Sequence, residues 1–197
     1  MNRNIYKSNM QLFEKSFPGI GEIIENSKNK VEKNLDVYLE RAADGCNIIK
    51  VKQEDRELYY SGKREPTDKA RVEIEKWGKI DKHAVIFLIG LGDLAFLKQL
   101  VRTIDTSIQL VIYEPSLNVF FEVIENIDLS FLFEDRIPAL IVDGLNGEEK
   151  KAIVKKLVTL ANIEFIRHYE NRSCSAFFSA QVIDCLLYTS DAADDLI

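Results

Sequence analysis

Gly90-Leu91-Gly92-Asp93-Leu94-Ala95 is the stretch whose residue types and spacing best suit ligand chemistry. It fits the Gly-x-Gly-x-x-Gly/Ala dinucleotide fingerprint, in which glycines allow positive φ and close backbone approach, and a helix N-terminus offers free N–H groups to phosphate. Glu114 ends the next apolar segment, where acidic residues of Rossmann folds accept two ribose hydroxyls. Ser116 follows at once. Asp143, Gly144 and Asn146 come after a third apolar segment, on the rim where open α/β sheets bind ligands. The candidate nucleotide- or substrate-binding set is therefore Gly90, Leu91, Gly92, Asp93, Glu114, Ser116, Asp143, Gly144 and Asn146, with no catalytic residue and no metal ligand assigned.

Each member has a plainer structural reading. Asp93 suits a helix N-cap, where its carboxylate occupies the donors a phosphate would need and repels an anion. Glu114 stands just outside the positive end of a helix capped by Ser116. Asp143, Gly144 and Asn146 are also turn formers. His83 and His168 flank apolar runs, which suits packing or surface roles better than general bases.

The elements that must hold these residues are legible from periodicity. Ala84 to Ile89 is a short apolar run rich in β-branched residues and reads as a strand covered on both faces. Leu94, Phe96, Leu97, Leu100, Val101 and Ile104 recur at helical spacing, and Ile108 to Tyr113 is a second buried strand. Two apolar strands joined by an amphipathic helix predict a right-handed βαβ unit. Further along, a helix carries Leu117, Phe120, Phe121 and Ile124, and Asp128 caps a helical turn. A third strand runs from Ala139 to Val142, a helix from Gly147 to Ala161, and a fourth strand from Ile163 to Ile166. Residues 173–184 look helical.

Upstream, residues 5–17 place Met10, Leu12, Phe13 and Phe17 near one helical face before Pro18, and a short helix follows over 21–27. From Leu35 to Ser61 the period changes, with turn signals at Asp44-Gly45 and Gln53 to Arg56, which predicts a three-stranded antiparallel meander packed on the N-terminal helices. Pro66-Thr67-Asp68 opens a helix to about Trp77, a core anchor, with Gly78 near its C-cap. The expected fold is α/β: a Rossmann-like parallel sheet with helices on both faces (81–184), preceded by a small α+β module with an antiparallel meander (1–80).

Composition bounds the function. Three cysteines and two histidines lack metal-type spacing, and a net charge of −6 argues against nucleic-acid binding. No apolar run approaches the length of a membrane span and the N-terminus does not read as a signal peptide, so a cytoplasmic protein is expected. Residues 185–197, from Cys185-Leu-Leu-Tyr-Thr-Ser-Asp-Ala-Ala-Asp194, read as a translated transposase library adaptor fused to a truncated gene. Without Asp191, Asp194 and Asp195 there are 29 acidic against 26 basic residues, a charge of −3.

The stretches FLIGLGDLAFLKQL and YEPSLNVFFEVIENIDLSFLFEDRIPALIV, with IYKSNMQLFEKSFP and VKQEDRELYYSG upstream, resemble the N-terminal region of motility accessory factor (Maf) glycosyltransferases over about residues 1–180. The turn Tyr113-Glu-Pro-Ser116 and the stretch Glu125-Asn-Ile-Asp128 are the more specific parts. The resemblance implies a cytoplasmic bacterial enzyme that moves a nonulosonic acid from its CMP form to Ser/Thr of flagellin. It also implies that the chemistry belongs to a central domain after this region, so that no catalytic residue falls on these positions. The expected partners are then flagellin and a nucleotide-activated sugar. No cofactor is assigned beyond a CMP-sugar. Asp93-Leu94 departs from the family, which often has a further glycine or an aromatic there. Two other classes stay open: an S-adenosylmethionine-dependent methyltransferase, against which Leu88 stands where an acid is usual, and a non-catalytic Rossmann-like interaction module.

Overall fold

A computed structural model describes residues 3–145 apart from 32, 34, 54, 55, 81, 83 and 84. Helices α1 (Arg3–Ser16) and α2 (Ile20–Ser27) precede strands β1 (Leu35–Arg41), β2 (Asn47–Gln53) and β3 (Arg56–Tyr59). Helix α3 (Pro66–Glu75) leads to β4 (Val85–Ile89), α4 (Leu94–Thr103), β5 (Gln109–Glu114), α5 (Leu117–Asn126) and β6 (Ala139–Val142). The helices expected at 147–161 and 173–184, the strand at 163–166, the adaptor-like tail, Asn146 and both histidines lie outside the described residues.

The two sheets have the expected sense. β1, β2 and β3 form an antiparallel meander, in which Val37 pairs with Val51 and Val51 with Leu58. β4, β5 and β6 are parallel in that order, with Leu88 opposite Ile112 and Glu114 opposite Val142. This is a mixed α/β architecture. Because side chains alternate along a strand, Ile86, Leu88, Leu110, Ile112 and Val142 share one face, and they join the core together with Phe96, Leu97 and Leu100 of α4 and Phe120, Val123 and Ile124 of α5. Val111, Tyr113 and Ile141, on the opposite face, are buried as well. Among the described residues both crossover helices therefore pack on the same face, the consequence of a strand order that advances in one direction through connections of one hand.

The meander and the N-terminal helices close over those crossover helices. α4 touches β2 and α3, and α5 touches β1 and α1. One hydrophobic cluster runs from Tyr6, Phe13 and Ile24 through Ile49 and Val51 to the parallel sheet, so residues 1–80 and the βαβ region share a core. Phe13 stacks on Phe120 with centroids 6.1 Å apart, and Trp77, half-buried against the core, lies 5.6 Å from Phe96.

Two polar clamps fix this docking. Fully buried Asn9 donates from Nδ2 to the carbonyls of Ile124 (2.8 Å) and Ile127 (2.7 Å), and its Oδ1 accepts from the N–H of Leu129 (3.0 Å). One amide thereby satisfies three backbone groups where α5 ends, all in buried residues. Asn118 donates to the carbonyl of Leu35 at 2.6 Å, tying the start of β1 to α5. Nothing in the sequence of α1 distinguishes Asn9 from a solvent-facing residue. Its role depends on a helix more than a hundred positions away. Asn9→Ala would leave those three groups unpaired, and we expect a loss of about 3 kcal/mol in urea unfolding; a loss under about 1 kcal/mol would show that the clamp carries little.

Candidate functional site

Parallel pairing brings the ends of β4, β5 and β6 to one edge, and the ladder continues into the loops. Gly90 donates its N–H to the carbonyl of Tyr113 (2.7 Å), and Asp143 donates to the carbonyl of Glu114 (3.0 Å). Gly90, Glu114 and Asp143 therefore do share one rim, as the alternation of strands and helices predicts. What the rim does with them differs from the dinucleotide expectation.

The two glycines have separate physical reasons. Gly90 has φ +95°, a conformation that side chains other than glycine strain to adopt. A Cβ on Gly92 would lie 2.3 Å from Cδ1 and 2.6 Å from Cγ of Tyr60, far inside contact distance. In a dinucleotide fold the second glycine lets pyrophosphate approach the backbone; here it lets the Tyr60 ring, one residue beyond β3, approach instead. Asp93 caps α4, accepting from the N–H of Phe96 at 3.0 Å. The cap reading of Asp93 is the observed one.

Glu114 is fully buried and its carboxylate points into the protein. Oε2 accepts from the N–H of Leu91 at 2.7 Å and Oε1 from the N–H of Ser116 at 2.9 Å. The ribose role expected for it is therefore replaced by an internal one: both oxygens are engaged and neither reaches solvent. The reading of Glu114 as a group at the head of the Ser116 helix is the nearer one, with the addition that it grips the glycine turn as well. Burial pushes its carboxyl up to about 7, and the charge of Asp143 adds to the rise, while the two backbone donors pull the other way. Ser116 caps α5 as expected, its Oγ accepting from the N–H of Val119 at 3.4 Å.

At the third strand end, the Tyr113 hydroxyl donates to Oδ2 of Asp143 at 2.5 Å. Gly144 has φ +78°, and a Cβ there would meet Cδ1 of Leu117 at 3.0 Å. Lys30 donates from Nζ to the carbonyl of Gly144 at 3.1 Å, bringing a cation from the N-terminal region to the rim. Of the nine sequence candidates, eight gather at this edge and Asn146 lies outside the described residues. Tyr60, Tyr113 and Lys30 belong to the same constellation and were not on the list. Strand alternation from Tyr59 could have turned Tyr60 inward, but no sequence signal connects it to Gly92.

Among the described residues no three of His, Cys, Asp and Glu group as a metal site would require, and no helix is long and apolar enough to cross a membrane. Comparison with known protein families, with curated proteins and with solved structures returns no match. The chemistry must be argued from the rim itself.

Two outcomes test this geometry. Gly92→Ala should cost about 1–3 kcal/mol by overpacking against Tyr60, and much of that cost should vanish in a Tyr60→Ala background; equal costs in both backgrounds would mean the ring does not press on the turn. For Glu114, the folded value of about 7 exceeds the ordinary 4.5, so the native state binds the proton more tightly between those values. Its contribution to stability is then greatest below about pH 4.5, falls as pH rises to about 7, and is flat above that. The stability difference between wild type and Glu114→Gln should shrink by on the order of 3 kcal/mol across that window; urea unfolding that gives a constant difference from pH 5 to 8 would remove this account.

Proposed function

We propose that this chain is the Rossmann-like N-terminal domain of a motility-associated glycosyltransferase, one that positions its partners while transfer of a CMP-activated nonulosonic acid to flagellin takes place in another domain. The observation that carries the non-catalytic part is the inward commitment of Glu114. A dehydrogenase- or methyltransferase-like use of the rim needs an acid at the second strand end to hold the ribose, and here that acid serves the backbone of Leu91 and Ser116. Asp93 works as a helix cap and Tyr60 lies on the second glycine, which counts against a phosphate at the turn. The resemblance of Tyr113-Glu-Pro-Ser116 to Maf sequences supports the family part of the reading. Every side chain of that turn with a polar atom makes a rim bond, to Asp143, to Leu91 and Ser116, or to Val119.

On this reading the rim is a rigid frame and the acceptor and donor are handled by the rest of a larger enzyme. Deleting the gene from its source bacterium should remove the nonulosonic acid mass from flagellin peptides, with recovery when the gene is supplied in trans. Flagellin of unchanged mass would overturn the assignment. Calorimetric titration separates the alternatives: saturable binding of S-adenosylmethionine or NAD to the 197-residue chain would replace it with a nucleotide-cofactor enzyme.

A further inference from the structure

We propose that the outer edge of β3 is an interface for a second copy of this chain, the two strands pairing antiparallel about a two-fold axis at Leu58 so that two meanders join into one sheet.

The backbone supplies the means. In the pairing of β3 with β2, Tyr59 stands opposite Lys50 and Leu58 opposite Val51, and the N–H of Tyr60 donates to the carbonyl of Ile49 at 3.0 Å. Because ladder bonds alternate along an antiparallel strand, Leu58 and Tyr60 turn their backbone groups toward β2, whereas Glu57 and Tyr59 turn theirs outward. The two edges of the meander differ in what lies against them. Helix α5 packs along β1, where Asn118 holds the carbonyl of Leu35. Among the described residues no helix packs along β3 in that way, and no hydrogen bond engages the outward backbone groups of Glu57 or Tyr59. The chain after β3 also leaves this edge clear, since it crosses to the β1–β2 turn, where the N–H of Ala43 donates to the carbonyl of Lys63 at 2.8 Å.

The same edge is its own complement. A copy related by a two-fold axis at Leu58 sets Glu57 opposite the partner's Tyr59, and Tyr59 opposite the partner's Glu57, in the register where each pair exchanges two N–H···O bonds. Leu58 meets the partner's Leu58 in the intervening pair, whose side chains approach most closely. Leu58 is only partly buried against the core, so this contact covers apolar surface that one copy leaves open. Charge agrees with the register. The Lys63 ammonium lies 4.0 Å from the centre of the Tyr59 ring, so the partner's Lys63 arrives beside Glu57. Both side chains reach solvent, Lys63 at 58% exposure and Glu57 at 48%, and each is placed to turn to the other. An unrelated extended peptide could use the same backbone groups but would lack the matched leucine and the charged pair. A four-residue edge makes a small interface, so the dimer is a weak one that forms as concentration rises. This goes beyond the accessory-domain reading and does not depend on flagellin, so the failure of either leaves the other standing.

The test is sedimentation velocity of the full chain over rising concentration, which should show a monomer–dimer equilibrium. Glu57→Pro removes an outward N–H that no bond to β2 uses, and it should weaken the dimer tenfold or more. Should that variant lose its cooperative melt, Glu57→Lys takes its place: it sets like charge against the partner's Lys63 and should weaken the dimer, and adding Lys63→Glu should restore it. Register is read separately, since Leu58→Cys should give a dimer linked through the two introduced thiols on mild oxidation. A wild-type chain that stays monomeric at every concentration, a dimer unchanged by the folded edge variant, or no cross-link in Leu58→Cys would overturn the proposal.

Discussion

A buried carboxylate with two backbone donors holds the C-terminal edge of the parallel sheet together. Glu114 leaves β5 between the glycine turn that starts α4 and the cap that starts α5, and it bonds an N–H in each. Both donors belong to loops at the positive ends of helices, where anionic charge is favoured, and this offsets part of the cost of burying a carboxylate. The offset is incomplete, which is why burial still lifts the group to about 7. This side chain ties the glycine turn to the start of α5, while the β5–β6 pairing and the Tyr113 hydroxyl place Asp143.

The N-terminal helices and the antiparallel meander are held to the βαβ region by contacts that run across the chain. Asn9 satisfies the end of α5, Asn118 holds the start of β1, and Tyr60 covers the turn before α4. A three-stranded sheet of this size has an apolar face to bury, and packing on helices supplies its stability. It packs on α4 and α5, and the shared cluster from Phe13 to Val142 makes the meander and the βαβ region one core. The rim is therefore built from both regions, with Lys30 and Tyr60 contributed by the first and the glycines, acids and caps by the second.

The chemical character of the rim follows. Where a nucleotide-binding sheet leaves donors and an acid facing a crevice, this one turns the acid inward, caps the helix with Asp93 and lays its own ring on the glycine.

The period-two meander, the βαβ alternation, the parallel sense of β4 to β6, the caps at Asp93 and Ser116 and the positive-φ turn at Gly90 were legible in the sequence, because strand and helix periodicity and helix capping are local properties. Even the gathering of Gly90, Glu114 and Asp143 on one rim follows from strand order. The partner of each group was decided only by the tertiary structure. A Gly-x-Gly turn says that something comes close, and whether that is a pyrophosphate or Tyr60 depends on how a meander packs some thirty residues away in sequence. An acid at a strand end points outward to a ribose or inward to two N–H groups with the same local sequence. Its direction is set by which donors the folded loops leave within about 3 Å, a matter of three-dimensional distance that no one-dimensional pattern encodes.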